Sequence, residues 1–228
     1  MKMDTTQPSE LQSYVFATET KPEKSILLLD QLLRPFGVPF ELSAAEEVLL
    51  GRERYNTSVL FVTKGCFSVC NSANHLYMAT LFAPTIIGLI DGYSLFYNVK
   101  NRPSHYIHAE IPCQGWRLPV DIFAEKCDEY NLWHDIARIL AQRMMTMSTR
   151  ESELVGIDAY GKIRSLLTEL SLYPEEIRIQ INAASFIQRR TRLSRSQTMK
   201  ILAELKKGEF ITIENGSLLA IHKLPFAF

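Results

Sequence analysis

The sequence is poor in cysteine, with four in 228 residues. Cys66, Cys70, Cys113 and Cys127 show neither the density of a disulfide framework nor the close CxxC-type pairs of a zinc site. No apolar run approaches the roughly 18 residues that a membrane span requires. Residues 1–20 are polar and lack the apolar stretch of a secretory signal, so a cytoplasmic location is the expectation and no membrane partner is expected. Net charge is missing too: 25 basic residues balance 25 acidic ones. That balance argues against a protein that coats nucleic acid without selectivity. What the chain does have is apolar content, 46% of all residues. It can bury a sizeable core, and general disorder is excluded.

The charge that cancels overall is concentrated locally. Residues 183–207 carry seven Lys or Arg and the single acid Glu204, so this segment is +6 and the remainder −6. The segment also has the texture of a helix, a tight turn and a second helix. Ser194 is a good N-cap, because its hydroxyl can accept a bond from an unpaired amide of the first turn. Thr198, Ile201, Leu202 and Leu205 then recur at helical spacing. The opposite face carries Arg195, Ser196, Gln197 and Lys200, which can reach phosphates and base edges. Lys206-Lys207-Gly208 ends the helix with positive charge and a glycine stop. Two strands follow around Asn215-Gly216, the strongest short hairpin signal. This is the pattern of a winged helix-turn-helix. The expected DNA-binding residues are Arg189, Arg190, Thr191, Arg192, Ser194, Arg195, Ser196, Gln197 and Lys200, with Asn215, Gly216 and Ser217 at the wing tip.

Upstream, residues 1–22 read as a flexible lead, and residues 24–34 as an amphipathic helix closed by Pro35 and Gly37. From Val38 to about Leu118 short alternating runs punctuated by Gly, Asn, Pro and Asp predict a β-barrel or sandwich. Residues 119–130 predict a helix, and residues 132–154 a longer one. Ile136, Ile139, Leu140, Arg143, Met147 and Leu154 lie near one stripe of it, broadened by Met144 and Met145. A long helix between two domains needs something to pack on, and a second copy of the chain is the simple solution. Helices over residues 159–172 and 175–181 lead into the DNA-binding motif. The fold class is therefore α+β. The boundaries fall at 1–22 (lead), 23–130 (β domain), 131–155 (connecting dimerisation helix) and 156–228 (winged domain).

This order of elements resembles the CRP/FNR family of bacterial transcription regulators along nearly the whole chain. Leu193-Ser194-Arg195-Ser196 with Ile201-Leu202-Ala203-Glu204-Leu205 resembles the family's recognition helix. The resemblance implies that Arg195 contacts a base and Lys200 a phosphate. Where the family often has a glutamate after the arginine stands Ser196, so the target site is expected to differ. A closer resemblance, to the enterobacterial branch described as inhibitors of hydrogen peroxide resistance, rests on residues 188–196, on Leu224-Pro225 and on residues 83–92 (Ala-Pro-Thr-Ile-Ile-Gly-Leu-Ile-Asp-Gly). It implies a cyclic-nucleotide-binding-like β domain or jelly roll, a homodimer, double-stranded DNA and RNA polymerase as partners, and a link to oxidative stress.

The departures from the family are as informative. Its cyclic-nucleotide sensors carry a Gly-Glu pair followed about ten residues later by Arg-Ser or Arg-Thr, the arginine neutralising the phosphate. Here Gly88-Leu89 stands in place of Gly-Glu, and the nearest candidate pair is broken as Arg102-Pro103-Ser104. Residues 1–65 lack the cysteines of the iron-sulfur relatives. No cofactor and no metal is expected, although His75, His105 and His108 remain candidate haem ligands. Cys66 and Cys70 on one strand would lie roughly 13 Å apart, beyond the limit of about 7 Å for a disulfide. Cys113 or Cys127 could sense peroxide only with a lowered pKa. Two rival functions stay open. One is a cupin-type metal-dependent enzyme built on His105, His108 and Glu110. The other is a sensor or adaptor that has lost DNA binding. The expectation is a regulator and not an enzyme.

Overall fold

The computed structural model describes residues 13–50, 57–94 and 104–225. The chain divides into two units, Pro22–Ile139 on one side and Leu140–Phe228 together with Met1–Lys21 on the other. Helix α1, Ser13–Glu19, belongs to the second unit. The lead expected to be flexible is thus helical in its later part, because α1 finds partners described below.

The first unit begins with α2, Glu23–Leu33. Ser25, Ile26, Leu29 and Leu33 form its buried face. A 3₁₀ turn, Arg34–Phe36, ends it where Pro35 cannot continue the ladder. Then come β1 (Val38–Leu42), β2 (Glu47–Leu49), β3 (Ser58–Lys64), β4 (Cys66–Asn71), β5 (Tyr77–Phe82) and β6 (Thr85–Ile87). Helix α3 (Leu89–Ser94), β7 (His105–Ala109) and β8 (Cys113–Pro119) complete the domain. The strands make two four-stranded sheets, ordered β1-β8-β3-β6 and β2-β7-β4-β5. Every pairing in them is antiparallel. This is a jelly roll of two open sheets rather than a closed barrel. Leu42, Leu60, Val62 and Ile87 of one sheet meet Phe67, Ile107 and Ala109 of the other in a common core. Trp116 Nε1 of β8 donates to Asp30 Oδ1 of α2 at 2.6 Å, fastening the helix to the first sheet.

Helix α4, Val120–Glu129, and helix α5, Trp133–Leu154, follow. The first part of α5 belongs to the jelly-roll unit, where Ile136 and Ile139 are buried. Its Asp135 accepts from Ser25 of α2 at 2.6 Å.

The second unit takes up the rest of α5, then α6 (Ala159–Ser171), α7 (Glu175–Arg178), α8 (Ala183–Thr191) and α9 (Arg195–Lys207). Strands β9 (Ile211–Glu214) and β10 (Ser217–Ile221) pair antiparallel. Three helices start on side-chain caps: Asp158 accepts from Gly161, Asn182 from Ser185 and Ser194 from Gln197. Ile163, Leu166, Leu167 and Leu170 of α6 are buried, as are Phe186, Ile187, Leu202, Leu205 and Leu218. Among the described residues, α1 is held in this unit by α5. The Ser13 amide donates to Glu153 Oε1 at 2.6 Å, and Gln142 Nε2 donates to the Ala17 carbonyl at 3.2 Å.

Candidate nucleic-acid interface

Helix α9 presents two faces of opposite character. Thr198, Leu202 and Leu205 are buried against the unit. Arg195, Ser196, Gln197 and Lys200 are all exposed. The Ser194 hydroxyl accepts from the Gln197 amide at 3.1 Å, which fixes where the helix starts and so where Arg195 points. Arg192 ends α8 in the left-handed region, φ 59°. That single residue reverses the chain between the two helices of the motif and stays exposed. Arg189 is exposed as well.

Arg190 is not part of this surface. It is 3% exposed, and its guanidinium carbon lies 3.7 Å from the centre of the Phe186 ring. The cause is helical spacing: Ala183, Phe186, Ile187 and Arg190 form the buried face of α8. The expectation of a phosphate contact from Arg190 is therefore corrected. Besides the Ser194 cap, two more hydroxyls of the expected set have local roles. Thr191 Oγ1 donates to the Ile187 carbonyl at 2.8 Å and accepts from the Leu193 amide at 3.2 Å, bracing the turn. Ser217 Oγ donates to the Ile179 carbonyl at 2.7 Å, holding the wing to the segment after α7.

The wing turn is built as its sequence requires. Asn215 and Gly216 have φ 49° and 87°, the two positive values of a type I′ hairpin. The Gly216 carbonyl accepts from the Ala183 amide at 2.8 Å. A Cβ at Gly216 would stand 2.2 Å from Asn182 Nδ2. The wing tip is thus locked to the start of α8. Between α8, α9 and the wing runs a groove of about 510 Å³, lined among others by Asn182, Ser185, Gln188, Arg195, Lys206 and Asn215. Lys206 Nζ also donates to the Ile213 carbonyl at 3.2 Å. Asn182, Ser185, Gln188 and Lys206 were not among the DNA-binding residues expected from sequence. The N-cap pattern of Asn182 with Ser185 three residues on, not read from the sequence, is the signal that could have found the first two.

The expected dimer stripe of α5 divides. Ile136 and Ile139 are buried within the jelly-roll unit, 3% and 1% exposed, and are spoken for by its core. Leu140, Arg143 and Leu154 are half-buried. Burial lowers the Arg143 guanidinium to about 10, so it remains charged at neutral pH. Of the six, Met147 is exposed. The open apolar surface lies further round, at Met144 and Met145, 72% and 57% exposed.

Comparison with known proteins decides the family. Residues 159–226 match the family model described as winged helix-turn-helix DNA binding. The chain is 31% identical over 205 residues to the "Inhibitor of hydrogen peroxide resistance" of Escherichia coli strain K12, covering 90% of this chain and 96% of that protein. The chain belongs to the inhibitor of hydrogen peroxide resistance family. The protein of the same name in Salmonella typhimurium strain LT2 is 28% identical over 206 residues, 90% of this chain and 97% of that one. Solved structures place this family's fold among CRP/FNR regulators. The regulator CLP of Xanthomonas campestris superposes with TM-score 0.70 at 12% identity, over 86% of this chain and all of that one. A crp/fnr-family regulator of Eubacterium rectale gives 0.66 at 12% identity, over 86% and 90%.

In this member of the peroxide-resistance inhibitor family, Gly88-Leu89, which stands in place of the Gly-Glu pair, packs within its own domain. Gly88 has φ 97°, and a Cβ there would lie 2.6 Å from the Ser58 carbonyl oxygen. Leu89 is buried at 2% exposure. Asp91, also 2% exposed, accepts from the His105 amide at 3.0 Å and faces the His105 ring at 3.0 Å. A buried carboxylate thus stands three residues after Gly88. Of the alternative pair, Arg102 and Pro103 lie outside the described residues. His108 pairs with Glu47 instead, at 3.2 Å, so the residues of the rival cupin reading engage separate partners. No group of three or more His, Cys, Asp or Glu among the described residues could hold a metal ion. All four cysteines are buried and none forms a disulfide. Burial pushes Cys113 up, only partly offset by a backbone hydrogen bond at Cys66, and burial with neighbouring Asp128 pushes Cys127 up to about 12.

Proposed function

We propose that the protein regulates transcription as a homodimer that reads a two-part site in double-stranded DNA and carries out no enzymatic step. The observation that carries this is the exposed face of α9: four polar side chains project from a helix whose other face is buried and whose start is fixed by a cap. Arg195 has the planar fork that suits the O6 and N7 acceptors of guanine. Ser196, Gln197 and the wing tip at Asn215 and Gly216 complete the groove contacts. Arg189, Arg192 and Lys200 meet phosphates.

The second copy docks on α5. Ala137, Ala141, Met144 and Ser148 are all exposed. They recur at the spacing of one helix face, and small residues at three of the four allow close approach. Two winged domains so joined read half-sites about one helical turn, roughly 34 Å, apart. RNA polymerase is the partner of a regulator seated at a promoter, and the cytoplasm is where both meet. The relatives' name supports a role in peroxide resistance. Cys113 and Cys127 are buried and burial raises both thiols, which disfavours thiolate chemistry at those two positions. Selection of bound sequences from random duplexes, with light scattering of the complex, tests this reading. A paired motif bound by two chains is the expected result. Recovery of no motif from full-length protein overturns it. Mapping bound genomic sites with and without peroxide then tests the stress link.

A further inference from the structure

Glu169 of α6 is 5% exposed, yet it carries a carboxylate. Three elements converge on it. Arg150 of α5 donates to Oε2 at 2.8 Å, and the Tyr173 hydroxyl donates to Oε1 at 2.7 Å. The charge of Arg190, from α8, also acts on it. We propose that Glu169 is a positioning residue for DNA reading, fixing the angle at which the helix-turn-helix leaves α5. This rests on the homodimeric DNA-binding reading above.

The covalent connection cannot fix that angle alone. Residues 155–158 between α5 and α6 are exposed. Gly156 has φ 78°, and a Cβ there would meet nothing within 4 Å. Among the described residues the hydrogen bonds of this link are local ones, Val155 to Glu151 of α5 and Asp158 to Gly161 of α6, so side chains further along the two helices set the geometry. Arg150 stands one turn before the link and Glu169 lies at the far end of α6. Their ion pair therefore spans the junction. From the same carboxylate the path continues to α8, whose Arg190 lies against Phe186, and the Phe186 ring meets Tyr173 edge-on at 5.8 Å. Helix α1 makes a second tie over the same junction. Its Ser13 amide bonds Glu153 of α5, and its Tyr14 ring lies 5.0 Å from the Tyr173 ring. Glu169 and α1 thus grip α5 and the winged domain from two sides, and Tyr173 is common to both.

A residue that only stabilises the fold lowers affinity for every DNA alike. A residue that sets an angle controls tolerance to half-site spacing instead. One added base pair moves a half-site by about 3.4 Å and rotates it by about a tenth of a turn. The experiment measures binding of full-length dimer to its selected site with the optimal spacer and with one base pair added or removed. The unaltered protein is expected to lose about tenfold on the shifted sites. Glu169→Gln is expected to flatten that discrimination to about threefold or less while keeping base preference within each half-site. Tyr14→Ala leaves the buried charges in place and is expected to flatten it in the same direction, so it decides the matter if Glu169→Gln fails to fold. If every variant that folds keeps the full spacer discrimination, with only melting temperature or overall affinity reduced, Glu169 is structural and the proposal is overturned. Failure of the unaltered protein to bind DNA as a dimer overturns the DNA reading itself, and the coupling with it, before any substitution is made.

Discussion

Arg189 and Arg190 are neighbours in sequence and opposites in the fold. Arg189 is exposed, whereas Arg190 lies in the buried stripe with Phe186 and Ile187. Charge alone made them equivalent when read as a basic run. Their phase along the helix separates them, since position 190 follows 183, 186 and 187 at core spacing. Arg190→Ala removes a buried cation next to a buried carboxylate and is expected to cost about 3–5 kcal/mol of stability, read by urea unfolding. Arg189→Ala is expected to stay within about 0.5 kcal/mol of the parent and to weaken DNA binding instead. Glu169 supplies the matching pH dependence. Burial on its own would raise its carboxyl, but Arg150, Arg190 and the Tyr173 hydroxyl hold it below the ordinary carboxylate range. A carboxyl depressed in the folded state contributes stability above its unfolded pKa of about 4.3, and loses it as pH falls through the folded value. The stability gap between the unaltered protein and Glu169→Gln is therefore expected to be full at pH 7 and to shrink on acidification below about pH 4. Urea midpoints across that range read it directly, and a gap independent of pH speaks against an ionised Glu169.

At the level of elements, α9 and the wing were legible because each carries its own local chemistry: a serine cap, a period of 3.6 and an Asn-Gly turn. Strand β6 and helix α3 were not. Thr85, Ile86 and Ile87 are all buried and show no alternation, and α3 is six residues with a glycine inside. Too few positions exist there for a period to appear. The jelly-roll order is a property of long-range pairing, such as β1 with β8, which no local pattern reports. Helix α5 teaches a different lesson. Its apolar stripe was visible, but spacing does not say which surface a stripe meets. Ile136 and Ile139 meet their own domain, and the exposed surface centres on Met144. A charge at Ile136 would break the jelly-roll unit and so could not report on assembly. Ala141→Glu with Met144→Glu places two charges on exposed positions and is expected to give monomers by light scattering with the melting temperature little changed. A double variant that remains dimeric moves the interface off this face.

For the whole molecule, neutrality overall and +6 over residues 183–207 mean that attraction to DNA is local and directional. The burial of Arg190 removes one cation per chain from that field's contact surface. The salt dependence of binding counts phosphate contacts, because each one made releases condensed counterions. Arg190 therefore contributes to stability and not to that slope. Lys200 is exposed on α9, five positions beyond Arg195 and a little over one turn along the helix. Lys200→Ala is expected to weaken selected and random duplexes about equally and to flatten the logarithmic salt slope by about one for each protomer. Arg195→Ala is expected to act differently, relaxing preference at one base pair per half-site at a cost of about 1–3 kcal/mol on the selected site. It should leave affinity for random duplex nearly unchanged. The two readouts separate the roles because base reading is lost only where the correct base is present, whereas a phosphate is present in every sequence. If Arg195→Ala instead lowers affinity for selected and random DNA by the same factor, Arg195 holds the backbone. The helix would then sit in the groove rotated from the orientation that its capped start and exposed face imply.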